Sequence, residues 1–141
     1  FSHSLTAVQV LAKKSYQFAR RGVGPEYLDG GRGARGPAYD PKSDHPLLVP
    51  TTGYAGPDWG MKDLQWAVAQ AREGQIAVLC FHGVPGLEHP WVNCDPEDFK
   101  KYLRYLKDEG CTVIAMRDLA QYVDPAKGPK NPYSPIKARK K

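Results

Sequence analysis

The sequence predicts an α/β fold with parallel strands, and three observations lead there. Short apolar runs of strand length alternate with stretches whose apolar residues recur at helical spacing. The run Ile76-Ala-Val-Leu-Cys-Phe81 is continuous rather than alternating, as a strand covered on both faces would be. Asp95-Pro96-Glu97-Asp98 is a strong helix start, with a capping Asp, Pro at the first position and acids facing the positive helix end. Strands separated by helices run parallel through right-handed crossovers.

Taken in order, Ser4 precedes a stripe of Leu5, Val8, Leu11 and Ala12, which predicts a capped amphipathic helix. Tyr16 to Arg20 reads as a short strand, followed by a long loop from Gly22 to His45 that carries a Gly/Arg-rich run at 30–37. Leu47 to Pro50 reads as another short strand. Met61, Leu64, Val68 and Ala71 keep helical spacing up to a stop at Gly74. After the strand at 76–81, Phe99, Tyr102, Leu103 and Leu106 form the buried stripe of a helix that Gly110 ends. Thr112 to Met116 is the expected final strand, with a short helix at Asp118 to Val123.

At 141 residues the chain suits one domain, expected over residues 1–124. The remainder, 125–141, contains four prolines and six basic residues, so it is expected to be extended, poorly ordered and solvated, with contact to nucleic acid or an anionic surface as the alternative. Without that tail the formal charge of +5 falls close to neutral, which makes a nucleic-acid partner an unfavoured expectation. No stretch approaches the roughly 20 apolar residues that span a bilayer. Because the sequence opens on Phe1, it is read as part of something longer. Three cysteines without CxxC spacing, Cys80, Cys94 and Cys111, point to buried inert thiols and agree with a reducing, cytoplasmic compartment.

Phosphate-loop, Gly-x-Ser-x-Gly and His-Glu-x-x-His motifs are absent, and the four histidines are too widely spaced to suggest a metal site. His82 stands out, a polar ring where the apolar run 76–81 meets the loop Gly83-Val84-Pro85. Such a residue serves either as site chemistry or as a strand cap bonded to a neighbouring loop. Loops that follow parallel strands open at one face, so 22–46, 51–60 and 82–95 should bring Tyr54, Asp58, Trp59, His82, His89 and Trp91 toward one cleft. The indoles of Trp59 and Trp91 lie off the apolar stripes; they either stack on sugar rings or pin long loops. Trp66 falls outside its helix's apolar stripe and is expected to pack on a neighbouring helix or on a missing segment.

The stretch Gly74-Gln-Ile-Ala-Val-Leu-Cys-Phe-His82-Gly resembles the last motif of the polysaccharide deacetylases, the NodB-homology or carbohydrate esterase family. The Asp58-Trp59 pair, Glu109-Gly-Cys-Thr-Val-Ile-Ala-Met, Phe1-Ser-His3 with the helix after it, and the block from Arg20 to Gly36 extend the likeness over roughly residues 1–124. The resemblance implies the C-terminal part of an irregular (β/α) barrel acting on N-acetylated polysaccharide or oligosaccharide. It implies a divalent metal, zinc or cobalt, that activates water, with His82 as catalytic residue protonating the departing amine. The family's Thr-Phe-Asp-Asp and His-Ser/Thr-x-x-His segments, which hold the base and the metal ligands, are absent from this chain. Gly83 stands where many members carry Asp, and Ser15 where a helix-ending Gly is common. Tyr54, Asp58, Trp59 and Trp91 are the expected substrate contacts. Two other readings are an allantoinase-like hydrolase of small amides on the same fold, and a non-catalytic module gripping a carbohydrate or a polyanion.

Overall fold

A computed structural model describes residues 4–22 and 35–139. It shows a mixed α/β chain with a small parallel sheet, in which extended segments are held more by isolated bridges than by ladders. Helix α1 spans Leu5–Lys13, and the Ser4 hydroxyl accepts the Ala7 N–H at 3.1 Å, as its sequence position predicts. The helix closes on a Schellman pattern: the Tyr16 N–H reaches the Leu11 carbonyl and the Ser15 N–H the Ala12 carbonyl. That closure holds Ser15 at φ 60, the left-handed region in which glycine is the usual residue.

The strands expected at 16–20 and 47–50 contract to one parallel bridge, Arg20 to Val49. Pro46 has no N–H to give, and the Leu47 N–H donates to His45 Nδ1 at 3.1 Å, so Pro46–Leu48 turns as a 3-10 helix and pairing starts only at Val49. Strand β1 (Gly53–Tyr54) pairs in parallel with β2 (Leu79–Cys80), Gly53 opposite Leu79 and Tyr54 opposite Cys80. Helix α2 (Met61–Ala69) makes the crossover; the chain then leaves the helix five residues before Gly74 and turns through Glu73 and Gly74, both at positive φ. Helix α3 (Pro96–Asp108) starts as predicted, the Asp95 carboxylate accepting the N–H groups of Glu97 and Asp98. It ends in a second Schellman pattern on Gly110, with the Cys111 N–H on the Leu106 carbonyl at 2.9 Å.

Thr52 ties the extended segments together. Its N–H donates to the Val78 carbonyl, its hydroxyl donates to the Pro37 carbonyl at 3.1 Å and accepts the Val78 N–H at 2.9 Å, and its own carbonyl accepts the Gly36 N–H. The side chain is wholly buried, so these bonds replace a ladder in a place water does not reach.

Buried side chains form three clusters. Ala55, Trp59, Leu64, Cys94, Tyr102 and Leu106 join α2 and α3 to the sheet. Tyr39, Val49, Val78, Leu119 and Val123 cover the sheet elsewhere, and Val8, Leu47, Leu48 and Ile136 gather α1 beneath the C-terminal residues. The last cluster corrects the expectation for the tail. Residues 125–139 are folded, with a 3-10 turn at Pro125–Lys127 and helix α4 at Ser134–Arg139. Ile136 is buried, and Arg139 grips the buried Asp44 carboxylate through two bonds of 2.8 and 3.0 Å. Proline content suggested an extended segment; one apolar side chain and one bidentate ion pair, both long-range, decided otherwise.

Two further strand expectations fail for one reason. Only Leu79 and Cys80 of the run 76–81 form a strand, and Thr112 to Ala115 stays extended without a ladder. The amides of Ala77 and Phe81 on one side, and of Thr112 to Ala115 on the other, donate to no described residue. Between these segments lies an apolar groove of about 590 Å³, lined among others by Val68, Leu79, Leu103 and Ile114, with Val113 65% exposed. Leu103, predicted to be buried on α3, is 46% exposed there, while Tyr102 and Leu106 are buried as expected. All three cysteines are free, Cys94 buried and the other two half-buried. No helix among the described residues is long and apolar enough to cross a membrane.

Two outcomes follow from this architecture. Thr52→Val keeps shape but strips partners from a buried N–H and a buried carbonyl, and it should cost about 2–4 kcal/mol in urea denaturation. The open groove should make the isolated chain bind 8-anilinonaphthalene sulfonate and melt below about 45 °C; a cooperative transition well above that, without dye binding, would contradict it.

Candidate functional site

The loops after β1 and β2 start side by side, because Tyr54 and Cys80 are register partners. They stay together: a Cβ on Gly56 would lie 3.3 Å from the Trp91 carbonyl oxygen, so the two loops touch. The loop after β2 is closed on itself by a Gly83 to Asn93 bridge, by the Cys94 N–H on the Gly83 carbonyl and by the Gly86 N–H on Asn93 Oδ1 at 2.6 Å. A Cβ at position 83 would stand 2.7 Å from the Gly86 Cα, so this conformation leaves no room for the Asp that relatives of the resembled family carry there. The Val84–Pro85 peptide in the same loop is cis.

His82 leaves this platform exposed to solvent. Its imidazole has no hydrogen bond or ion pair with any described residue, so the strand-cap alternative has no bond to support it. The residue before it is firmly held: Phe81 meets Phe99 edge-on at 5.0 Å between centroids and Trp59 at 6.1 Å. A pinned backbone thus presents a free ring. Trp91, on the same loop, is 68% exposed, with His89 tilted against it at 5.1 Å. Asp58 is exposed, and Tyr54 is half-buried against the first core cluster.

Trp59 corrects the expectation of a sugar-stacking ring. It is 6% exposed, packed edge-on against Tyr102 at 5.2 Å, and its indole N–H has no partner among the described residues. The Tyr102 hydroxyl donates to the Trp59 carbonyl at 3.1 Å, which anchors the loop from below. Trp59 therefore pins the loop, the alternative its sequence position left open. Trp66 also departs from expectation: it meets Arg35, an extended residue of this chain rather than part of a helix or of a missing segment, and the guanidinium lies 4.9 Å from its ring and also pairs with Asp63 at 3.0 Å. This contact was not legible locally, since Arg35 lies 31 positions away in a glycine-rich run.

Of the other histidines, His45 caps the 3-10 turn through Nδ1, and burial lowers its pKa; both make it structural. His3 and much of the 22–46 loop lie outside the described residues. No three His, Cys, Asp or Glu side chains among the described residues come together as a metal-ligand set. Comparison with family models, curated proteins and solved structures finds no match to this chain.

Burial pushes both Tyr102 and Tyr39 up to about 12, helped by nearby carboxylates, Asp98 for the first and Asp44 for the second. Unfolded tyrosine ionises near 10, so the unfolded chain loses these protons first as pH rises. The stabilisation is complete below pH 10 and is lost between 10 and 12. Urea midpoints should fall across that window, and Tyr102→Phe should flatten the fall while lowering the unfolding free energy near neutrality by about 1–2 kcal/mol for the lost bond to Trp59.

Proposed function

We propose that this chain is the C-terminal part of a metal-dependent deacetylase of the NodB-homology type, acting on N-acetyl groups of a polysaccharide or oligosaccharide. The observation that carries the reading is His82, an exposed imidazole with no partner among the described residues, just past the carboxyl end of a parallel strand and next to the packed ring of Phe81. Fixed position and free nitrogen together suit a proton donor. In that role the imidazolium N–H gives its proton to the amide nitrogen as the C–N bond of the hydrated N-acetyl group breaks, releasing a free amine and acetate. The exposed Trp91 ring supplies a flat apolar face for a sugar, with Asp58 on the adjoining loop and Tyr54 at the end of β1 as hydrogen-bonding groups.

The resemblance implies zinc or cobalt, but the described residues hold no set of three His, Cys, Asp or Glu side chains that fits one. The barrel architecture rests on the same resemblance. It is supported by the parallel β1 and β2 pair joined through α2, with their following loops in contact.

The test is deacetylation of chito-oligosaccharides, with zinc or cobalt added, by the natural full-length protein. Activity should fall by roughly 10²–10⁴ in kcat with His82→Ala and rise in KM with Trp91→Ala. Undiminished kcat in the folded His82 variant would sink the proton-donor role. A folded, metal-loaded protein inert toward chito-oligosaccharides but active on a small ureide would favour the allantoinase-like reading.

A further inference from the structure

Acidic and basic residues are segregated along this chain. All fifteen Asp and Glu lie between Glu26 and Asp124, together with ten of the twenty Lys and Arg. The first 25 and the last 17 residues hold the other ten basic residues and no acid, so a formal charge of +10 flanks a middle of −5. In sequence the two basic segments are a hundred residues apart. In the fold they meet, because Val8 and Leu11 of α1 pack with Ile136 and Tyr133 around Leu47 and Leu48.

The meeting concentrates charge. Lys13 and Lys14 end α1, and Lys130 and Lys137 belong to the folded tail; all four are exposed and form no ion pair with a described residue. Asp44, the acid nearest this cluster in the bond network, is buried and already engaged by Arg139. Lys127 has only a long contact, 3.8 Å, to Asp124. Among the described residues, none of the four lysines has an acid paired with it.

The same surface carries apolar groups that a folded chain would otherwise hide. Leu5 is 51% exposed, Val10 53% and Tyr16 59%. On α1, Val10 lies away from Val8 and Leu11, the residues turned inward, while Leu5 stands one turn before Val8 at the exposed edge of their stripe; Lys13 and Lys14 share the side that these two aliphatic residues flank.

We propose that α1 and the folded C-terminal segment form a docking surface for an anionic lipid bilayer. Lysines with no ion pair among the described residues match a layer of negative headgroups, and exposed aliphatic and tyrosine side chains enter the boundary between headgroups and acyl chains. A nucleic acid would use the charge but has no place for Leu5 and Val10, which decides between the two polyanions. This inference is independent of the hydrolase reading.

Flotation of the full chain with vesicles containing about 30% phosphatidylserine in phosphatidylcholine tests it. Binding should occur to these vesicles, not to pure phosphatidylcholine, and should weaken between about 50 mM and 500 mM NaCl. Combined charge reversal, Lys13→Glu with Lys14→Glu, Lys130→Glu and Lys137→Glu, should reduce it by roughly 600-fold or more, at about fivefold per lysine. Leu5→Ser with Val10→Ser should reduce it roughly tenfold and leave the charge intact. All six sites are exposed; should the reversal fail to fold by circular dichroism, the corresponding Lys→Gln set reads the same effect. Absence of vesicle binding overturns the proposal, as does binding indifferent to the lysines. Tighter binding to polyuridylate than to vesicles, unchanged by the Leu5 and Val10 substitutions, assigns the surface to nucleic acid and overturns it too.

Discussion

The structure depends on how buried backbone groups find partners where regular strand pairing is scarce. Thr52 is the centre of that solution, since one side chain and its own peptide connect segment 35–39, the residues after Val49 and the strand around Val78. A hydroxyl can accept and donate at once, so a single residue satisfies an N–H and a carbonyl that no strand reaches. Around this point the sheet needs only two paired residues per strand to set its direction and register.

From that register the candidate site follows. Adjacent parallel strands deliver their following loops to one edge, and the aromatic group of Trp59, Phe81, Phe99 and Tyr102 stiffens the floor beneath them. The side chains proposed for chemistry, His82 and Trp91, sit above it, and neither takes part in the core. The division of labour is physical: packed rings lose mobility in the core, and a neighbouring exposed ring gains a fixed origin without losing its solvent.

On the far side, a second long-range arrangement works by opposite means. Arg139 and Asp44 form a bidentate pair around a carboxylate 2% exposed, and Asp44 also accepts the Asp40 N–H. A buried carboxylate with fewer partners would be strongly unfavourable, so the basic segment is held to the body by what that group requires. The outcome is a cationic end to a molecule whose middle is acidic.

The sequence by itself determined the local events: Ser4 and Asp95 as caps, α2 and α3 by their stripes, Gly110 as a stop, and His82 at the mouth of a loop. Each depends on residues within about four positions of one another, where propensity and capping act. Only the tertiary structure decided what depends on distant partners. Trp59 reads as a loop residue until Tyr102, 43 positions on, covers it; the tail reads as free until Asp44, 95 positions back, takes Arg139. The strands at 76–81 and 112–116 have the right composition, yet a strand exists only when another edge accepts its hydrogen bonds. Composition specifies the donors, and the fold specifies who receives them.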